Sequence, residues 1–196
     1  IAAATIAVLI GGTLSIYANE AGGRRGYWVG LLTKAPAAMS TLVLALGMIV
    51  AFSGPPLSLG GTILILVICH VIARLPTAAL VAESSVAQIG GQLVEASRVN
   101  GSSQGRTFRH ILFPLTRPVL SAGWAMRFAV IAGDLTAAAL LSGPSNPVIG
   151  FRIQSIYDFG TYSDLAALAV VITLISTVAT GLVLKYSNPT YGRTAQ

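Results

Sequence analysis

The chain has 196 residues, 54% of them hydrophobic and only 9% charged, with 12 Lys and Arg against 6 Asp and Glu for a net charge of +6. A soluble domain carries about 25% charged residues, so this composition excludes a water-covered globule, and its hydrophobicity excludes disorder. A single Cys excludes a disulfide scaffold or a cysteine metal cluster. Basic residues scattered between long apolar runs point to a membrane and not to nucleic acid.

About 20 apolar residues are needed to cross the hydrocarbon core. Ile1–Asn19 carries no charge before Glu20 and forms the first expected span. Its start, inside an apolar run and without Met, reads as the later part of a longer polypeptide, and no basic leader or cleavage signal suggests a secretory peptide. The uncharged run 35–73 is too long for one span and is interrupted by Ser53-Gly54-Pro55-Pro56. That turn signal divides it into spans at 36–53 and 58–74. A fourth span is expected over Pro118–Leu141, although it contains Arg127 and Asp134, and a fifth over Leu165–Leu184. The fold class is therefore an all-α membrane protein, a bundle of about five transmembrane helices, with residues 1–196 forming one domain.

Five spans sort the loops into two sets. One set, 20–35, 74–117 and the tail after 184, holds ten basic residues including Arg24, Arg25, Lys34, Arg74, Arg106 and Lys185; the other holds only Arg152. The excess places the first set, and the C-terminus with it, on the cytoplasmic side. Tyr27 and Trp28, beside the arginine pair, read as interface anchors, as do Tyr157 and Tyr162.

The segment 74–117 is the longest polar stretch and is patterned. Val86, Ile89, Leu93 and Ala96 recur at intervals of three and four, which predicts an amphipathic helix over 81–99. Gly101 follows where a left-handed cap would close it. Phe108, Ile111 and Leu112 predict a second short helix, ended by Pro114.

Glu95-Ala96-Ser97, three residues, Gly101, nine residues and Ile111-Leu112-Phe113-Pro114 resemble the EAA loop of ATP-binding-cassette importer permeases. Ser97 replaces the usual second Ala and Phe113 the usual Leu. Pro114–Pro118, Gly133–Thr136, Leu140–Pro144 and Ile156–Gly160 extend the likeness, most closely to the C-terminal half of the ferric-iron type, and also to phosphonate and thiamine permeases. The resemblance implies the type I importer permease fold in a bacterial cytoplasmic membrane, with 93–114 as the coupling loop. Glu95, Ala96, Ser97, Gly101, Ile111 and Pro114 would meet a separate cytoplasmic ATPase. It also implies an extracytoplasmic solute-binding protein, a second permease half, fused or dimeric, and a small solute, ferric iron by closest likeness. The bland alternative is a helix lying on the lipid surface.

Arg127 and Asp134 are seven residues apart, which on one continuous helix brings them to nearly the same face. Ionisable groups within a span usually face a bundle interior or a water path. Asp134, with Thr136 and Arg127, is thus a candidate to line the translocation path. A structural role remains open beside it, Arg127 snorkelling and Asp134 bonding a neighbouring helix. Cys69 and His70 lie late in the expected third span, but adjacent residues point about 100° apart on a helix and do not converge on a metal. Tyr157 and Tyr162 could offer phenolate oxygens to ferric ion, although selective capture would belong to the binding protein.

No phosphate-binding Gly-x-x-x-x-Gly-Lys-Ser/Thr loop, nucleophile triad or carboxylate pair is present in the sequence. No enzymatic activity and no cofactor are expected, and ATP would be hydrolysed by the partner. A gradient-driven transporter with Asp134 as its proton or cation site is the competing class. A membrane enzyme or assembly factor has no reactive residues to support it.

Overall fold

A computed structural model describes residues 1–21, 23–89, 97, 99, 101, 104–107, 110, 113–143, 146–160 and 162–187. The described elements are helical: α1 (Ala2–Ala21), α2 (Gly23–Lys34), a 3-10 turn (Ala35–Ala38), α3 (Thr41–Phe52), α4 (Ile63–Ile89), α5 (Gln104–Thr107), α6 (Phe113–Ala132), α7 (Leu135–Leu141), α8 (Ile149–Asp158) and α9 (Tyr162–Ser187). Three of these, α1, α4 and α9, are long and apolar enough to cross a membrane singly. Two bent pairs bring the number of possible spans to five: α2 with α3, at 102°, and α6 with α7, at 55°.

The first and last expected spans lie within α1 and α9. The expected span 36–53 is corrected to a 12-residue α3, about 18 Å long at 1.5 Å per residue and too short to cross alone. Residues 23–34, read as loop, form α2. The expected third span starts later and runs much further: α4 is 27 residues, with Pro76 inside it. Arg74 is thus an intrahelical residue and not a loop charge, and Val81–Ile89 continues α4 instead of starting a separate helix. A membrane helix tolerates such a proline when its neighbours resatisfy the freed backbone.

Small residues set the packing. An added Cβ at Gly11 of α1 would lie 2.9 Å from Ala78 Cβ, 3.1 Å from Ala79 N and 3.2 Å from Leu75 O. α1 and α4 therefore touch backbone to backbone, as small residues permit in membrane helices. They run parallel: Ile1 shares a cavity with Ile63 and Leu66, whereas Asn19 shares one with Glu83. α6 runs against both, with Trp124 Nε1 donating to Thr5 Oγ1 at 2.9 Å. At the end where α1 and α4 begin, Ala45 and Met48 of α3, Ile65 and Cys69 of α4, and Ala137 and Leu141 of α7 form a buried apolar cluster. Elsewhere many large apolar side chains are exposed, including Val50, Leu174 and Val178, as lipid-facing surfaces are.

Candidate translocation path and coupling segment

The expected fourth span is not one helix. α6 stops at Ala132, and Asp134 is the N-cap of α7 in extended conformation, its carboxylate accepting from Thr136 N and Ala137 N. Short oxygen-bearing side chains are favoured at this position because helix-start N–H groups lack intrahelical partners. The 55° bend therefore voids the shared-face geometry inferred for Arg127 and Asp134. Each finds a different partner on α4.

Asp134 Oδ2 accepts from Arg74 Nη2 at 3.0 Å, with the Asp134 side chain 8% exposed. His70, one turn before Arg74 on α4, presents Nε2 to the same oxygen at 3.7 Å, too far for a hydrogen bond. Its Nδ1 donates to Leu66 O at 2.9 Å, and the buried Nε2 has no hydrogen-bond partner. Arg127 is buried, donating from Nη1 to Gly123 O at 3.0 Å and from Nε to Thr77 Oγ1 at 3.3 Å. Thr136 contributes only its backbone N–H, its side chain being exposed.

Two arginines and one carboxylate thus sit between α4 and the broken α6–α7 helix, leaving one positive charge when His70 is neutral. A cavity of about 450 Å³ opens beside them, lined by His70 and Asp134 together with Ile1, Leu66, Val148 and Gly150. Gly150 lets α8 approach this wall: an added Cβ would collide with Ala138 Cβ and stand 3.2 Å from Asp134 O. His70 is not late in its span, since α4 continues 19 residues beyond it to Ile89. Arg74 and His70 are cluster members the sequence reading did not place there; the available signal was a lone arginine inside an otherwise apolar run. No group of three or more metal-ligating side chains occurs among the described residues.

In the coupling segment, Glu95, Ala96 and Ile111 lie outside the described residues. Ser97 is buried, its hydroxyl 2.8 Å from that of Thr107 on α5, so a polar side chain at this EAA position holds the two arms of the loop together. Gly101 has φ +74°, the left-handed conformation expected of it and disfavoured for a residue with a Cβ. Pro114 occupies the second position of α6, where a missing N–H is tolerated; Phe108, Ile111 and Leu112 of the short helix expected before it lie outside the described residues.

The profile of the family described as binding-protein-dependent transport system inner membrane component matches residues 7–191. The chain belongs to this family. Among its relatives, a putative 2-aminoethylphosphonate transport system permease protein of Salmonella typhimurium is 25% identical over 174 residues, which cover 89% of this chain and 66% of that protein. The spermidine/putrescine transport system permease protein of Escherichia coli is 26% identical over 137 residues, 70% of this chain and 51% of that one. The chain thus spans between half and two thirds of these relatives' lengths. Their names point to phosphonates and polyamines, so the comparisons do not support the ferric-iron type.

The fold is shared with an inward-facing methionine ABC transporter at TM-score 0.77 and 16% identity, covering 95% of this chain and 89% of that one. It is shared also with a bacterial importer of the acidic polysaccharide alginate at TM-score 0.73 and 17% identity, covering 97% and 73%. A further match is the alginate transporter in complex with a pentasaccharide-bound periplasmic protein, at TM-score 0.66 and 16% identity, covering 98% and 73%. These likenesses establish the type I importer permease fold, and the family is one of translocation subunits and not of enzymes.

Proposed function

We propose that the chain forms the membrane path of an ATP-binding-cassette importer for a small phosphonate-type anion. A separate ATPase would drive it through residues 93–114, and a binding protein would deliver the solute on the opposite side. The basic end of the bundle, with Arg24, Arg25, Lys34 and Lys185, would face the cytoplasm, placing the C-terminus there. A second permease half, fused or dimeric, completes the path. The EAA residues Glu95, Ala96, Ser97, Gly101, Ile111 and Pro114 would supply the docking knob, with Gly101 making its turn.

The observation that carries the solute class is the charge of the buried cluster. Arg74 and Arg127 outnumber Asp134, and Asp134 has both oxygens engaged. The cavity is lined by Asp134 and His70 and by neither arginine, and Asp134 is already paired with Arg74, so this lining offers no uncompensated carboxylate to a polyamine or ferric ion. Arg74, bonded to Asp134, supplies the nearby positive charge that favours an oxyanion. The phosphonate relative supports the same choice.

The test is reconstitution with the ATPase and binding protein of the same organism in proteoliposomes. ATP-dependent uptake of 2-aminoethylphosphonate, lost in Gly101→Arg together with ATPase co-purification, is expected. ATP-driven uptake of putrescine without phosphonate would overturn the solute class. Uptake that needs no ATPase and follows a proton gradient would overturn the importer reading in favour of a gradient-driven carrier using Asp134.

A further inference from the structure

A second polar feature lies away from the path, at the end of the bundle where α1 finishes. Tyr17 of α1 and Arg24, Arg25, Trp28 and Val29 of α2 line an open groove of about 540 Å³. Both arginines are exposed, and neither belongs to an ion pair among the described residues. Glu83, the carboxylate that reaches α2, is held by Lys34 at 2.8 Å, in a different cavity. Glu20, whose side chain is outside the described ones, supplies one negative charge to the sequence 17–29 against two arginines, so the segment keeps a positive charge. Helix stability does not account for the pair either, since cations in a first turn oppose the macrodipole.

The surroundings say what meets these charges. Tyr17, Tyr27, Trp28, Leu31 and Leu32 are all exposed. An apolar surface with Tyr and Trp at its margin is what a membrane–water boundary selects. α2 and its 3-10 turn meet α3 at 102°, so the two do not continue one straight crossing. At that depth the abundant anion is a lipid phosphate. Two neighbouring guanidinium groups offer it forked donors, while the aromatic rings beside them suit the glycerol and first acyl carbons.

We propose that the groove formed by Tyr17, Arg24, Arg25 and Trp28 binds the headgroup of an anionic phospholipid in the leaflet on the basic side. The site rests on the membrane placement of the chain and is independent of the transported solute.

The assembled transporter, extracted in mild detergent from membranes containing phosphatidylglycerol and phosphatidylethanolamine, provides the test. Retained lipids are quantified by mass spectrometry for wild type, Arg24→Gln/Arg25→Gln and Lys185→Gln, an exposed lysine of the same end. Wild type should enrich phosphatidylglycerol severalfold over its membrane fraction. The double variant should lose most of that enrichment, and Lys185→Gln should stay within twofold of wild type. Equal loss in Lys185→Gln, or no enrichment in wild type, would overturn the site. A second readout needs no variant: raising salt to about 1 M, where screening acts within about 3 Å, should lower the wild-type enrichment of phosphatidylglycerol. Enrichment insensitive to salt would overturn a headgroup-charge site.

Discussion

Replacing Asp134 by Asn isolates one interaction. Asparagine caps a helix about as well as aspartate, so the bonds from Thr136 N and Ala137 N to Oδ1 survive. What is lost is the charge facing Arg74 Nη2 at 3.0 Å. Removing one partner of a buried pair costs about 3–5 kcal/mol, because the other is left uncompensated. The Arg74 side chain is 23% exposed, so the lower figure, about 3 kcal/mol, applies. For a chain of this size that corresponds to a fall in Tm of roughly 6–12 °C, by the scaling of soluble domains. Asp134→Ala should lose about 1 kcal/mol more, the cap itself. The double variant Arg74→Met/Asp134→Asn removes both charges and should recover to within about 1.5 kcal/mol of wild type. Thermal unfolding of these four proteins and of the single variant Arg74→Met in one detergent provides the cycle. Additive losses in the double variant, or an Asp134→Asn protein melting with wild type, would refute the buried-pair reasoning.

Other substitutions probe the rest of the frame. Gly11→Ala should destabilise by about 1–3 kcal/mol in the same melts, since its Cβ would meet Ala79 N and Leu75 O, which cannot turn aside. Ser97→Ala should cost about 1 kcal/mol, the net worth of a hydrogen bond, and should make the loop between α4 and α6 more susceptible to limited proteolysis by freeing Thr107 of this contact. Glu83→Gln, by contrast, should change stability by less than about 1 kcal/mol, because the Lys34–Glu83 pair is 41% and 34% exposed; equilibrium unfolding would show it.

The parts legible in the sequence were those carried by contiguous residues. α1 and α9 are uninterrupted apolar runs, and Gly101 falls at a spacing whose backbone need is local, met by φ +74°. The parts missed depend on partners distant in the chain. Arg74 looked like the end of a span because a hydropathy reading counts a charge as exposed; its neutralising partner is 60 residues away. Once that pair forms, α4 can continue through Pro76 to Ile89. The break at Asp134 was locally readable, since Gly followed by Asp before an apolar run is a helix-start signal. Treating Pro118–Leu141 as one ideal helix overrode it. The brevity of α3 was hidden because the uncharged run on both sides supplies apolar residues whether or not they are helical.

The position of the polar cluster follows from connectivity. α4 ends where the coupling segment begins, and α6 begins where it ends, so the two helices bracketing the segment also carry the cluster. Two cross-links join them: Arg127 on α6 to Thr77 on α4, and Asp134, just beyond α6, to Arg74 on α4. From Arg74 to Ile89 is about 22 Å along the helix at 1.5 Å per residue, an arm between the pair and the segment that contains Pro76. A force that spreads or twists the helix ends at the segment must therefore carry both arms as one body, break these bonds, or bend α4 at Pro76. The first outcome requires the joint to lie elsewhere; the second places it at Gly133, where the backbone between α6 and α7 already turns. Because Asp134 also caps α7, releasing Arg74 would leave that helix started and held to α4 by the apolar packing of Ala137 and Leu141 against Ile65 and Cys69. The α6–α7 break is thus one place in the described chain where motion at the end carrying the proposed coupling segment would alter the wall of the cavity beside His70. A cross-link between positions 77 and 127 should block ATP-driven uptake if the arms separate there, and leave it intact if they move together.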